Sequence, residues 1–105
     1  MQPSRYIELF EKELNEELAL TKRKNADYAG TKDSFQNFKL IETLTAGRIS
    51  AEDGIIVRLT DKLQRVTNLL AAKAQVKDET ITDTLRDISV YAKILKIYIE
   101  QKAKK

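Results

Sequence analysis

A chain of 105 residues has the length of one domain of ordinary size, and it contains neither Cys nor His. Disulfides, thiol chemistry, thiolate or imidazole zinc sites and a His general base are therefore excluded, and any metal must be a hard cation held by oxygens. The formal net charge of +3 belongs to the C-terminal end: without Lys102, Lys104 and Lys105, 16 basic residues face 16 acidic ones.

The neutral body lacks the sustained basic stripe that a duplex-binding protein needs, so nucleic acid is not the expected partner. The acid-rich opening MQPSRYIELFEKELNEEL has no apolar signal-peptide core, and no run is long enough to cross a bilayer. These features predict a soluble, cytoplasmic protein without a membrane partner.

In chain order, the first predicted helix runs from about Pro3 or Ser4 to about Lys24, with Ile7, Phe10, Leu14 and Leu18 at helical spacing. The next stretch, KRKNADYAGTKDSFQNFK at 22–39, carries five basic and two acidic residues and little helical period, and it reads as an ordered loop. FQNFKLIETL forms two or three turns ended by Ala46-Gly47. Ser50 then opens a long helix, with Asp53 placed for a capping-box-like start and Ile56, Leu59, Leu63, Val66 and Leu70 as its core face. The last helix spans about Asp78 to Gln101, with Ile81, Leu85, Ile88, Ala92, Leu95 and Ile99 as its main stripe. The prediction is one all-α domain over 1–105, a bundle of three long helices and a short one, with a basic tail at 102–105.

At about 100° per residue, Arg58, Asp61, Arg65 and Asn68 share one narrow arc of the third helix. Left to itself that arc is a solvated face with Arg58–Asp61 and Asp61–Arg65 pairs, each worth tenths of a kcal/mol, of the order of ~0.3. On the last helix Glu79, Asp83 and Asp87 step by four along one face, which continues as Val90, Ile94 and Ile97 beside Tyr91 and Tyr98. The second half of that helix is apolar nearly all round, which predicts burial on more than one side, by the first helix or by another subunit. The acids at its edge need partners. Arg58, Lys62 and Arg65 could supply a salt-bridge network; a Mg²⁺ ion held by Asp61, Glu79, Asp83 and Asp87 is the metal alternative.

On the loop, Asn25, Asp27 and Tyr28 offer amide, carboxylate and aromatic groups, and Gly30 permits a tight turn. Phe35 and Phe38 anchor the turn that follows and leave Asn37 to hydrogen-bond. Such a loop is either a connection between helices or a pocket wall, with a base stacked on Tyr28, amide contacts from Asn25 or Asn37, and phosphates near Lys24.

KNADYAG, DSFQNF, RLTDKLQRVTNLL and VKDETITDTLRDISVYAKI occur in that order over roughly residues 20–98. Together they resemble the nucleotide modification associated domain 1 family, a small and largely phage-borne group. The positions that match are Lys24, Asn25, Asp27 and Tyr28; Phe35, Asn37 and Phe38; Arg58, Asp61, Lys62 and Arg65; and Asp78, Glu79, Asp83, Thr84, Asp87 and Tyr91. One departure is that Ala29 stands between the Asp-Tyr pair and Gly30, where the family commonly has Gly directly. The resemblance implies a role in nucleotide metabolism or modification in phages, in the cytoplasm of the host.

A more distant similarity is to the all-α nucleoside triphosphate pyrophosphatases, with Glu-Glu-x-x-Glu followed by Glu-x-x-Asp. Here Glu13-x-x-Glu16-Glu17 reverses the first element and Glu79-x-x-x-Asp83 lengthens the second, which counts against hydrolysis. The leading expectation is a homo-oligomeric binder of a nucleotide or cyclic nucleotide, sequestering a host immune signal, through Lys24, Asn25, Asp27, Tyr28, Asn37, Arg58, Lys62 and Arg65. The alternatives are a Mg²⁺-dependent nucleotide hydrolase and a structural interaction protein.

Overall fold

The computed structural model describes residues 1–29, 34–72 and 78–104, and the side chains of 26–29, 78 and 79 lie outside that description. All elements among the described residues are helices: α1 (Pro3–Ala29), α2 (Gln36–Leu44), α3 (Ala51–Ala71) and α4 (Asp78–Ala103). They divide between two units, Met1–Ser34 and Phe35–Lys105. None is long and apolar enough to cross a membrane.

The first unit is α1. Arg5–Glu8 at 3.1 Å and Lys12–Glu16 at 3.9 Å pair along its surface, and Tyr6 meets Phe10 with ring centroids 6.0 Å apart. Its apolar stripe of Ile7, Phe10, Leu14 and Leu18 is exposed. The helix continues past the expected end at Lys24 to Ala29, so the backbone of Asn25, Asp27 and Tyr28 is helical and not a loop. Between Lys24 and Ala29 stand Asn25, Ala26, Asp27 and Tyr28 with no Gly or Pro, and loss of apolar period does not end a helix when neither intervenes.

The second unit holds α2, α3 and α4. Ser50 is the N-cap of α3, its Oγ accepting from the Asp53 N–H at 3.0 Å. Glu42 adds a second cap from α2, its Oε1 accepting from the Ala51 N–H at 2.6 Å. A carboxylate there also meets the positive end of the helix dipole. α2 ends in a Schellman motif: the Gly47 N–H reaches Glu42 O at 2.8 Å and the Ala46 N–H reaches Thr43 O at 3.3 Å. The Thr45 hydroxyl then ties the connection, donating to Ile41 O at 2.7 Å and accepting from the Ile49 N–H at 3.1 Å.

α3 and α4 run antiparallel, because Lys62 meets Asp87 near their middles while Lys102 at the end of α4 meets Glu52 at the start of α3, at 3.1 and 2.9 Å. α2 lies against α3 at Gly54, where an added Cβ would stand 3.3 Å from Ile41 Cγ2. Two aromatic residues at its N-terminal end meet α4: Phe35, the N-cap, edge-on to Tyr98 at 5.3 Å and Phe38 edge-on to Tyr91 at 6.3 Å.

The packed faces differ from those expected. α3 buries Ala51, Ile55 and Val66, with Leu59, Lys62 and Leu69 half-buried, whereas Ile56, Leu63 and Leu70 of the expected core face are about half exposed. α4 buries Thr84 and Tyr98, with Asp87, Ile88, Tyr91, Ile94 and Leu95 half-buried, whereas Leu85, Ala92 and Ile99 are exposed. The physical reason is that both helices carry two adjacent apolar rows. The buried row of α3 contains Ala51 and that of α4 contains Thr84, small residues that let the helix axes approach, while Gly54 faces α2. Burial of α4 on more than one side is met in part by α2, a neighbour the sequence reading had not considered for that role.

Candidate functional site

The charged arc of α3 forms as the helical period requires. Arg58, Asp61, Arg65 and Asn68 are all exposed, rotated from the buried row toward the side on which Gly54 receives α2. A cleft of about 500 Å³ lies along this face, lined by Asp61, Lys62, Gln64, Arg65, Asn68 and Leu69. Gln64 and Leu69 were not singled out from sequence, although Gln64 follows Asp61 by three and precedes Asn68 by four, the spacing that puts residues on neighbouring turns of one face.

α4 borders the arc through Asp87. Lys62 Nζ donates to Asp87 Oδ2 at 3.1 Å, with the two side chains 33% and 29% exposed. This is one contact of the expected salt-bridge network. The other members do not join it: among the described residues, Arg58 and Arg65 make no ion pair, and the expected Arg58–Asp61 and Asp61–Arg65 pairs are not formed. Among the described residues the Arg65 guanidinium and the Asn68 amide therefore line the cleft without a protein partner, and the Arg58 guanidinium lies on the same arc outside the lining. Each guanidinium presents a planar fork of donors suited to two phosphate or carboxylate oxygens at once.

Asp83 is exposed on α4, and the side chain of Glu79 lies outside the described residues. Among the described residues, no three carboxylates converge so as to hold a metal ion. Asn37 is exposed on the first turn of α2. The remaining expected ligand contacts, Lys24, Asn25, Asp27 and Tyr28, are carried by α1 in the first unit. Lys24 and Asn25 are exposed there, whereas the expected stacking by Tyr28 and hydrogen bonding by Asp27 concern side chains outside the described residues.

A second charged cluster closes the other end of the α3–α4 pair. Lys102 Nζ donates to Glu52 Oε2 at 2.9 Å and stands 6.0 Å from the centre of the Tyr98 ring. The hydrogen bond from Lys102, followed by one from backbone, holds the Glu52 carboxyl below its ordinary range, and the same pairing raises Lys102. Glu52 Oε1 is buried without a hydrogen-bond partner among the described residues. The cluster joins helix ends 50 residues apart in sequence, a structural task.

Comparison with family models, with curated proteins and with solved structures finds no match for the chain.

Proposed function

We propose that this chain binds a nucleotide or nucleotide-derived signal on the charged face of α3 and sequesters it as a homo-oligomer. The observation that carries the reading is the Arg65 guanidinium, which lines the cleft and makes no ion pair among the described residues, with Arg58 on the same arc outside the lining. A purely solvated face with helical-spaced opposite charges would be expected to pair them, as Asp61 stands three residues from one and four from the other. In the proposed complex Arg65 and Lys62 hold phosphate oxygens, the Asn68 and Gln64 amides meet polar edges of a base or sugar, and Leu69 supplies apolar surface. Lys24, Asn25, Asp27 and Tyr28 form a further proposed contact region on the first unit, tested separately through Asn25→Ala.

The test is incubation of the purified protein with nucleoside triphosphates and cyclic oligonucleotides, in Mg²⁺ and in EDTA, followed by heat denaturation and chromatography of the released compounds. Intact compound recovered in stoichiometric amount is expected, and Arg65→Ala should weaken binding roughly 10- to 100-fold, the loss that follows from removing a charged hydrogen bond. Retention of none of the panel, or unchanged affinity in both Arg65→Ala and Arg58→Ala, would overturn the reading. A cleaved product formed only with Mg²⁺ would replace the binder by a hydrolase.

A further inference from the structure

How many phosphates a nucleotide can bring to the cleft depends on the charge that α3 and α4 set around it. Lys62 and Arg65 are the cations of the lining and Asp61 is its anion. Lys62 is already shared with Asp87 of α4, at 3.1 Å. Arg58 extends the arc by one turn before Asp61, and Asp83 stands one turn before Asp87 on the same face of α4, both exposed. Bases and acids of the two helices therefore balance around the cleft, and no positive excess faces it.

The three charged residues of the lining differ in what they offer a ligand. The Arg65 guanidinium makes no ion pair among the described residues and presents two parallel N–H groups. The Lys62 ammonium carries three donors and gives one to Asp87, which leaves donors for a ligand. Asp61 is the opposite case: its ionised carboxylate accepts and does not donate, and it makes no hydrogen bond or ion pair among the described residues.

Their order on the helix completes the site. Lys62 and Leu69 border α4 and are half-buried, Arg65 follows, and Asp61, Asn68 and Gln64 are exposed beyond it. Along the axis the charges fall within the turn from 61 to 65, and Asn68 and Leu69 occupy the next turn. The lining is roughly 12 Å long, enough for one nucleotide with its phosphate at Lys62 and Arg65 and its base over Leu69.

One phosphate between Arg65 and Lys62 finds its donors there. Each further phosphate has to lie near Asp61 or near the Asp83 and Asp87 face, where like charge raises its energy and no surplus of cations offsets it. Toward an anionic ligand Asp61 is favourable only through neutral donors, two adjacent N–H or O–H groups such as the Watson–Crick edge of guanine or the vicinal hydroxyls of ribose.

We infer that the cleft is specific for a nucleotide whose phosphate is a diester with a single negative charge, and that Asp61 sets this specificity by accepting two neutral donors of the ligand and repelling additional phosphates. The inference rests on the proposed nucleotide binding at this cleft and names the ligand class. Phosphodiester-linked cyclic nucleotides belong to that class, and nucleoside triphosphates do not.

The experiment is isothermal titration calorimetry of the whole chain, in EDTA, with the methyl esters of guanosine and adenosine 5′-monophosphate, their 2′,3′-dideoxy forms, and the two triphosphates. Ester and triphosphate share base and sugar and differ in charge. The preferred ribonucleoside ester is expected to bind at least roughly 10-fold more tightly than its triphosphate. A preference for guanosine over adenosine assigns the donors to the base, and a loss of affinity in the dideoxy ester assigns them to the sugar. Asp61→Asn, on an exposed helical position and expected to leave helical circular dichroism unchanged, should weaken the ester roughly 3- to 10-fold and tighten the triphosphate by a similar factor. A triphosphate that binds as tightly as its ester, or discrimination that Asp61→Asn leaves unchanged, would overturn the ligand class while nucleotide binding at the cleft stands. An ester preference that depends on neither base nor sugar hydroxyls would overturn the accepting role of Asp61. Binding of none of these compounds would overturn both the class and the nucleotide reading.

Discussion

Ala46 occupies the left-handed position of the Schellman motif at φ 53°, with Gly47 following at φ 79°. The motif usually places Gly at the first of these two positions, because a Cβ there crowds the backbone. Ala46→Gly should therefore stabilise the protein by about 0.5–1 kcal/mol, seen as a raised thermal midpoint with unchanged helical content. The Ala46-Gly47 stop was legible in the sequence; its one-residue offset was not, because it depends on which carbonyls the two N–H groups reach.

Glu52 carries a pH dependence of definite sign. Its folded-state pKa lies below the unfolded value because Lys102 donates to the carboxylate, so its contribution is complete above the ordinary Glu pKa of about 4.3 and is lost as pH falls through the lowered folded value. The difference in thermal midpoint between wild type and Glu52→Gln should be constant from about pH 7 to 5 and shrink below about pH 4. A difference that stays constant down to pH 3 would mean that the pairing does not act through ionisation of Glu52. The Lys102 partner was unreadable from sequence, since the tail residues 102–105 looked like a solvated basic end and only the antiparallel return of α4 brings Lys102 to Glu52.

Among the elements, α2 is the short helix that decides how α3 and α4 are used. Its approach depends on Gly54, where an added Cβ would already come within 3.3 Å of Ile41. A branched side chain there has to displace Ile41 or the helix. Gly54→Val should destabilise by roughly 1–3 kcal/mol, the usual cost of overpacking, and should loosen the Phe38–Tyr91 contact. Urea denaturation measures the first effect, and near-ultraviolet circular dichroism of the tyrosines reports the second. Unchanged stability would mean that α2 does not depend on close approach at Gly54. Gly inside the third helix was visible from the start, but a helical Gly has no signature that separates tolerated propensity loss from a contact surface.

The elements themselves were largely readable. Ser50 as cap, Asp78 as the start of α4 and the short FQNFKLIETL helix correspond to α3, α4 and α2. The extent of α1 was misread, because the lost period at 22–29 suggested a loop, whereas no Gly or Pro stands before Gly30 to end the helix and it runs to Ala29. Periodicity reports whether a helix has an apolar side; it does not report where a helix without one stops.

In the second unit, the α3–α4 pair separates its two faces by chemistry. One side carries α2 and the cleft lined by Arg65, with Arg58 on the same arc; on the other, Leu63 and Ala92 are exposed. The proposed homo-oligomer should raise the thermal midpoint with protein concentration, since a partner that binds only the folded state stabilises by mass action. The sequence reading expected the last helix to be buried on more than one side, by the first helix or by another subunit, and α2 supplies part of that burial through Phe35–Tyr98 and Phe38–Tyr91.

Composition and period were sufficient for the all-α class, for the exclusion of thiol and imidazole chemistry, and for the shared arc of Arg58, Asp61, Arg65 and Asn68. Those properties depend on residue type and on the angle between residues of one helix, and both are written in the chain. Which of two apolar rows packs inside, that Lys62 turns to Asp87 while Arg58 and Arg65 find no carboxylate among the described residues, and that Lys102 caps Glu52 all depend on the approach of one helix to another. That approach is set by side-chain volumes at Ala51, Gly54 and Thr84, where a few ångströms of backbone separation select one row over its neighbour.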